Sequence, residues 1–170
     1  DITLTTSADG VTSGNISIDV TDAWLDLPFL QWNKVPGNPG KAEISLALKD
    51  GIPVADPTFA FNSGQLLAEG HIQLNNQNSA EALILDLLEV GETRLSARLN
   101  FENDGGQKIY VSAEHLDLRP YGGTPRIAQD NHVVISGTAE KIILTDEISL
   151  TEAEGQLIQR KDGEIILEGR

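Results

Sequence analysis

Residues 80–121 read AEALILDLLEV, GE, TRLSARLNF, ENDGGQ, KIYVSAEHLDLRPY, and the reading of this stretch decides the fold class. In its middle segment Leu95, Ala97, Leu99 and Phe101 alternate with Arg94, Ser96, Arg98 and Asn100. An apolar residue at every second position predicts a half-buried strand with one greasy and one wet face. The following segment repeats the pattern, with Ile109, Val111 and Ala113 on one side and Tyr110, Ser112 and Glu114 on the other. Between them Asn103-Asp104-Gly105-Gly106 supplies residues that tolerate positive φ, so the chain is expected to reverse there. Leu83 to Val90 is apolar except for Asp86 and Glu89. That composition suits a central strand or a short helix, and the turn-like flanks favour a strand.

The same alternation recurs outward from this core. Ile2 and Leu4 alternate with threonines, and Ile16, Ile18 and Val20 share a face. Lys41–Lys49 places Ala42, Ile44, Leu46 and Leu48 on one side; Leu66–Leu74 places Ala68, Ile72 and Leu74 on one side. Pro53 and Pro57 break the stretch between them, which reads as edge-like. Trp24, Phe29, Trp32, Phe59 and Phe61 concentrate the aromatic residues in the N-terminal part, where a packing cluster plugging one end of a sheet is expected over a ligand platform. Past Tyr121 a break is expected near residues 122–131. Strands then resume, and Lys161-Asp162-Gly163 closes a final hairpin. No amphipathic helix emerges. The expected fold is all-β: one segment over residues 1–170, a twisted, curved antiparallel meander forming an open groove, with a closed β-sandwich or β-solenoid as the alternative.

Composition narrows the function. The 170 residues carry a formal charge of −14, which repels phosphate backbones and anionic headgroups and so speaks against nucleic acid and peripheral membrane binding. With no cysteine, disulfides, thiolate metal sites and thiol nucleophiles are excluded. No apolar run approaches the roughly 18–20 residues of a membrane-spanning helix, and the absence of methionine suggests an internal slice of a longer protein.

The search for chemistry finds little. His71, His115 and His132 are far apart in sequence, and His115 with Asp117 reads as a surface pair sooner than as metal ligands. Gly40-Lys41-Ala42 lacks the spacing and the hydroxyl of a phosphate loop. Glu152 and Glu154 sit at same-face spacing on a strand, where carboxylates are usually solvated. No nucleophile elbow, zinc-binding helix motif or dinucleotide fingerprint is present. No enzyme activity, cofactor or metal is therefore expected.

Four phrases carry a resemblance to a known family. They are the apolar-Pro-x-x-x-Trp-x-Lys element at residues 27–34, the Gly-x-Thr step at Gly91–Thr93, the Leu-Asp-Leu-Arg-Pro ending at Leu116–Pro120, and the closing hairpin with Glu154-Gly155-x-Leu157 and Asp162-Gly163. In this order, and over most of its length, the chain resembles the AsmA-like proteins of Gram-negative bacteria, the large YhdP- and TamB-type members above all. The resemblance implies a periplasmic segment of a parent protein anchored in the inner membrane. It also implies a groove along which phospholipid acyl chains pass between inner and outer membrane. The implied lining is the alternating apolar set Ala42, Ile44, Leu46, Leu48, Ala68, Ile72, Leu74, Leu95, Ala97, Leu99, Phe101, Ile109, Val111 and Ala113. Implied partners are the acyl chains and the adjoining segments of the parent chain; an excised piece is also expected to pair free sheet edges with a second copy. Periodicity alone reports burial and not what does the burying, so on that ground a closed core of the same residues is favoured. A non-catalytic binding or structural module of a cell-envelope protein, reading its partner through Val35–Gly40, is the competing function.

Overall fold

The computed structural model describes residues 1–27, 30–101, 107–121, 133–159 and 165–169. The expected reversals at Asn103–Gly106 and Lys161–Gly163, the break at 122–131, Phe29 and His132 lie outside the described residues. The strands are β1 (Ile2–Thr6), β2 (Val11–Asp19), β3 (Leu25–Leu27), β4 (Trp32–Lys34), β5 (Lys41–Lys49), β6 (Ile52–Pro53), β7 (Thr58–Asn62) and β8 (Leu66–Leu74). They continue as β9 (Ala80–Val90), β10 (Thr93–Phe101), β11 (Gln107–Asp117), β12 (Val133–Ile143), β13 (Ser149–Gln159) and β14 (Ile165–Gly169). A 3-10 turn spans Arg119–Tyr121. Among the described residues no helix is long and apolar enough to cross a membrane.

Twelve strands form one sheet in the order β1-β2-β5-β7-β8-β9-β10-β11-β12-β13-β14, with β6 attached to β5. β1 and β14 stand at its two ends and do not pair, so the sheet is open and not closed into a barrel. Its neighbours are antiparallel except β11 and β12, which run parallel from Gln107↔Val133 to Asp117↔Ile143. The sheet is therefore mixed, and its one parallel pair interrupts an otherwise antiparallel meander. A parallel neighbour cannot be reached by a tight hairpin, in keeping with the long connection between these two strands. β7 also differs from expectation. It lies inside the sheet between β5 and β8, because Pro53 and Pro57 fall outside it: Pro53 ends the short flanking β6, and Pro57 directly precedes β7.

The reversals follow local chemistry. Asp50 and Gly51 both take positive φ, 53° and 80°, as a tight turn with the strands' own twist requires. Gly70 is required by close approach: a Cβ there would lie 2.0 Å from the Ile84 carbonyl oxygen and 2.8 Å from the Phe59 ring. Phe59 is the cross-strand partner of Gly70, so its ring covers the gap that the missing side chain leaves.

Little of this sheet is enclosed. The accessible surface is 11065 Å², against about 8,100 Å² for a compact protein of this mass. Among the described apolar residues only Trp32, Leu66, Ala82, Leu88, Ala113, Ala139 and Ile143 are buried. A second small sheet, the β3–β4 hairpin, supplies a local core: Trp32 packs with Leu66 and Leu88, ringed by Leu25, Leu27, Leu30, Phe61, Ala68, Val90 and Leu95.

Candidate apolar binding face

Pairing register shows which side chains share a face, because directly opposed residues in a ladder point the same way. From β5, Ile44 pairs with Ile16 on one side and Phe59 on the other, and Ala42 pairs with Ile18 and Phe61. The row continues through Ala68 to Leu88, Leu95 and Ala113. A neighbouring row runs through Gly70, Leu85, Ala97 and Val111, and another through Ile72, Leu83, Leu99 and Ile109. Parallel pairing carries these rows onto Ile135, Gly137 and Ala139, and Ala139 pairs with Ala153. At the other end Ile2 and Leu4 oppose Ile16 and Gly14.

All fourteen residues of the predicted lining thus fall on one face of one sheet. Most are half-buried, sheltered by each other's flanks. Ile44 and Phe101 are exposed and Ala113 is buried. Ala68 and Leu95 are partly covered by the β3–β4 hairpin, which closes that end of the face. Away from the hairpin, no second layer formed by the described residues lies over the apolar rows. At the far end Ile2 and Leu4 are 71% and 69% exposed.

The aromatic cluster divides. Trp32 and Phe61 meet edge to face, with centroids 6.0 Å apart at 86°, whereas Trp24 is largely exposed. The hairpin is pinned by Lys34, the closing residue of the 27–34 phrase, whose burial the alternation did not foretell. Lys34, alternating with Trp32 across Asn33, is only 1% exposed. Its Nζ donates to the carbonyl oxygens of Thr21 at 2.7 Å, Ala23 at 3.2 Å and Val35 at 3.5 Å. Three carbonyl acceptors satisfy the ammonium, and its stem fills the space beside Val20 that a side chain at Gly40 would need. The Trp32 indole N–H, by contrast, is buried without a partner.

The opposite face is polar and knitted by cross-strand pairs. Arg94 pairs with Glu89 and, at 3.0 Å, with Glu114. Arg98 donates to Gln73 and Asn100, each at 2.7 Å, and Gln156 donates to Ser136 at 2.9 Å. A cleft of about 700 Å³ is lined by Asp86, Arg94, Ser96, Ser112, Glu114, Thr138, Glu140, Glu152 and Glu154 together with Leu87, Leu95, Ala113, Ala139 and Ala153. It follows a line of irregular positions: pairing skips across Asp86 in β9, Glu114 in β11, Glu140 in β12 and Glu152 in β13, and Glu152 has φ 53°. Among the described residues no three His, Asp or Glu side chains converge to hold a metal ion.

His115 and Asp117 do not form a site together. Asp117, buried at the sheet end, receives Arg119 Nε and Nη2 at 2.9 Å each, while its own N–H donates to Thr93 Oγ1 at 3.0 Å. Arg119 also reaches Glu92 and Asp146, each at 2.8 Å. The Arg119 hydrogen bonds hold the Asp117 carboxyl below its ordinary range against the opposing effect of burial, and the surrounding carboxylates raise the guanidinium further above its own. This network ties β11, the β9–β10 turn and the β12–β13 turn into one rim. Two of the sequence phrases meet here, the Gly91–Thr93 step, which holds Glu92 and Thr93, and the Leu116–Pro120 ending; the pairing between them was not visible in either.

These features define a class: an open, mixed all-β sheet whose described residues form one largely aliphatic face and one polar face, with a small hairpin covering part of the aliphatic one. Comparison with protein-family models, curated proteins and solved structures returned no match.

Proposed function

We propose that this chain is a segment of a periplasmic, bridge-like lipid-transport protein, and that its aliphatic face carries phospholipid acyl chains between the inner and outer membranes. The observation that carries this reading is the apolar face spanning the sheet from β1 to β13, over which, away from the β3–β4 hairpin, no second layer of described residues lies. A face left open costs water-exposed hydrocarbon, roughly 25 cal/mol for each Å², and an acyl chain lying across the strands removes that cost. No catalytic group is needed. The ligand is held by contact alone, so it slides as long as the next strand offers the same contact. The resemblance to the AsmA-like family supports the same reading, and with it a periplasmic location, an inner-membrane-anchored parent and adjoining segments that extend the sheet. The net charge of −14 keeps the wall of such a bridge off anionic headgroups while the aliphatic face takes the chains.

The test is binding of a fluorescent fatty acid to the purified chain, competed by phospholipid. Saturable binding that phospholipid displaces supports the proposal. A chain that binds no acyl probe, yet captures an envelope protein through Val35–Gly40, favours a non-catalytic binding module instead.

A further inference from the structure

The segment between β2 and β5 is an excursion that the large sheet does not need. Asp19 and Lys41 are directly opposed where β2 pairs with β5, and just beyond them the Val20 N–H donates to the Gly40 carbonyl at 2.9 Å. Two residues suffice to join antiparallel neighbours at such a point. Here residues 21–39 leave the sheet and return to the same place, carrying the β3–β4 hairpin with them.

Hydrogen bonds inside this segment hold its shape. The Gly37 N–H donates to the Thr21 carbonyl at 2.9 Å and the Ala23 N–H to that of Val20 at 3.0 Å, while the Thr21 N–H reaches Asp19 Oδ1 at 2.8 Å. The Lys34 ammonium is shared among the carbonyls of Thr21, Ala23 and Val35, all members of the same segment. Its two strands pair with each other and, among the described residues, with no strand of the large sheet. The result is a small body wired within itself and joined to the sheet through a narrow neck. Trp32 and its leucines lie over Leu66, Leu88, Phe61, Ala68 and Leu95. The row that holds Ala68 and Leu95 runs on past the hairpin, through Ala42 and Ile18 on one side and Ala113 and Ala139 on the other. The hairpin therefore sits in the middle of an aliphatic row, making the kind of contact an acyl chain makes, and the two cannot hold that surface together.

We infer that the β3–β4 hairpin is a lid that exchanges with acyl chains, covering this part of the face when it is empty and lifting about the Val20–Gly40 neck when a chain takes its place. The inference rests on the acyl-chain reading of the face. Lifting breaks none of the strand pairing of the large sheet, because the hairpin shares none of it. It also brings water to the Trp32 indole N–H, which the closed position buries without a partner; an unbonded buried donor weighs against the state that buries it. Such a lid weakens apparent affinity in proportion to the fraction of molecules in which it stands open.

Two measurements on the full chain test it. In the first, residues 21–39 are replaced by Asn-Gly, which closes β2 onto β5 directly, and a fluorescent fatty acid is titrated into this variant and the native chain. The lidless variant is expected to bind about tenfold more tightly or better. In the second, Trp24→Phe removes the exposed one of the two tryptophans and leaves Trp32 as the reporter. Oleate is expected to shift its emission to the red and to open it to quenching by acrylamide. Should the lidless variant lose its β-sheet circular dichroism, the quenching measurement decides alone. Equal affinities in folded chains, or a Trp32 that stays shielded at saturating oleate, overturns the lid and leaves the acyl-chain reading standing. Binding of the fatty acid by neither chain, with no response from Trp32, overturns that reading and the lid with it.

Discussion

Ala97→Asp puts a carboxylate in the middle of the aliphatic face, and the open-face account assigns it a definite cost. Ala97 sits between Leu85 of β9 and Val111 of β11, with no charged side chain in its row. Strands are about 4.8 Å apart, so a chain lying across them places roughly four methylenes over each strand. At about 0.8 kcal/mol per buried CH₂, and with one side of the chain against the protein, contact with this strand is worth about 1.5 kcal/mol. A carboxylate that keeps its water forfeits that contact, which corresponds to about a tenfold loss of affinity. The folded state suffers less than a sealed core would, because the new charge stays hydrated on an open face. Urea unfolding is expected to show a loss of about 1 kcal/mol or less, where a charge driven into a closed interior costs several. Fatty-acid titration and urea unfolding of the same sample separate the two effects. Unchanged affinity refutes the assignment of this face to acyl chains; collapse of the fold refutes its openness.

Two further predictions concern the elements that frame the face. Trp32→Ala empties the hairpin core against Leu66, Leu88 and Phe61 and is expected to cost about 3 kcal/mol, the lower part of the range for large aromatic deletions. A loss below about 1 kcal/mol in urea unfolding followed by far-ultraviolet circular dichroism contradicts that packing. Asp117 is held below its ordinary carboxylate range chiefly by Arg119. Its contribution is therefore fully present above about pH 4 and is lost as pH falls through the lowered folded value. Asp117→Asn is expected to cost about 1–2 kcal/mol near neutrality, with the gap to the native chain narrowing toward pH 2; a gap independent of pH removes the ion-pair explanation.

Much of this architecture was legible because strand periodicity and burial coincide on a one-sided sheet. Lys41–Lys49 and Leu66–Leu74 occupy the spans that their alternation marks, and the aliphatic residues share a face because the strands keep a period of two between the pairing skips, one of which returns Leu85 and Leu88 of β9 to the same side. Three features were not legible. The parallel pairing of β11 with β12 leaves no trace in either strand, since a half-buried strand shows the same alternation whichever way its neighbour runs. Lys34 looks like an ordinary solvated lysine, and its burial depends on three carbonyls contributed by flanking loops. The line of pairing skips through Asp86, Glu114, Glu140 and Glu152 arises from registers between strands distant in sequence, which no single segment encodes. The openness of the face was beyond periodicity altogether, because alternation marks which side avoids water and is silent on what shelters it.

The most direct test is native mass spectrometry of the chain after gentle purification from a Gram-negative envelope. The account predicts species heavier than the protein by the mass of phospholipid, lost in Ala97→Asp under conditions where that variant remains folded. A spectrum of bare protein, from a chain that is folded and lipid-free throughout, contradicts it.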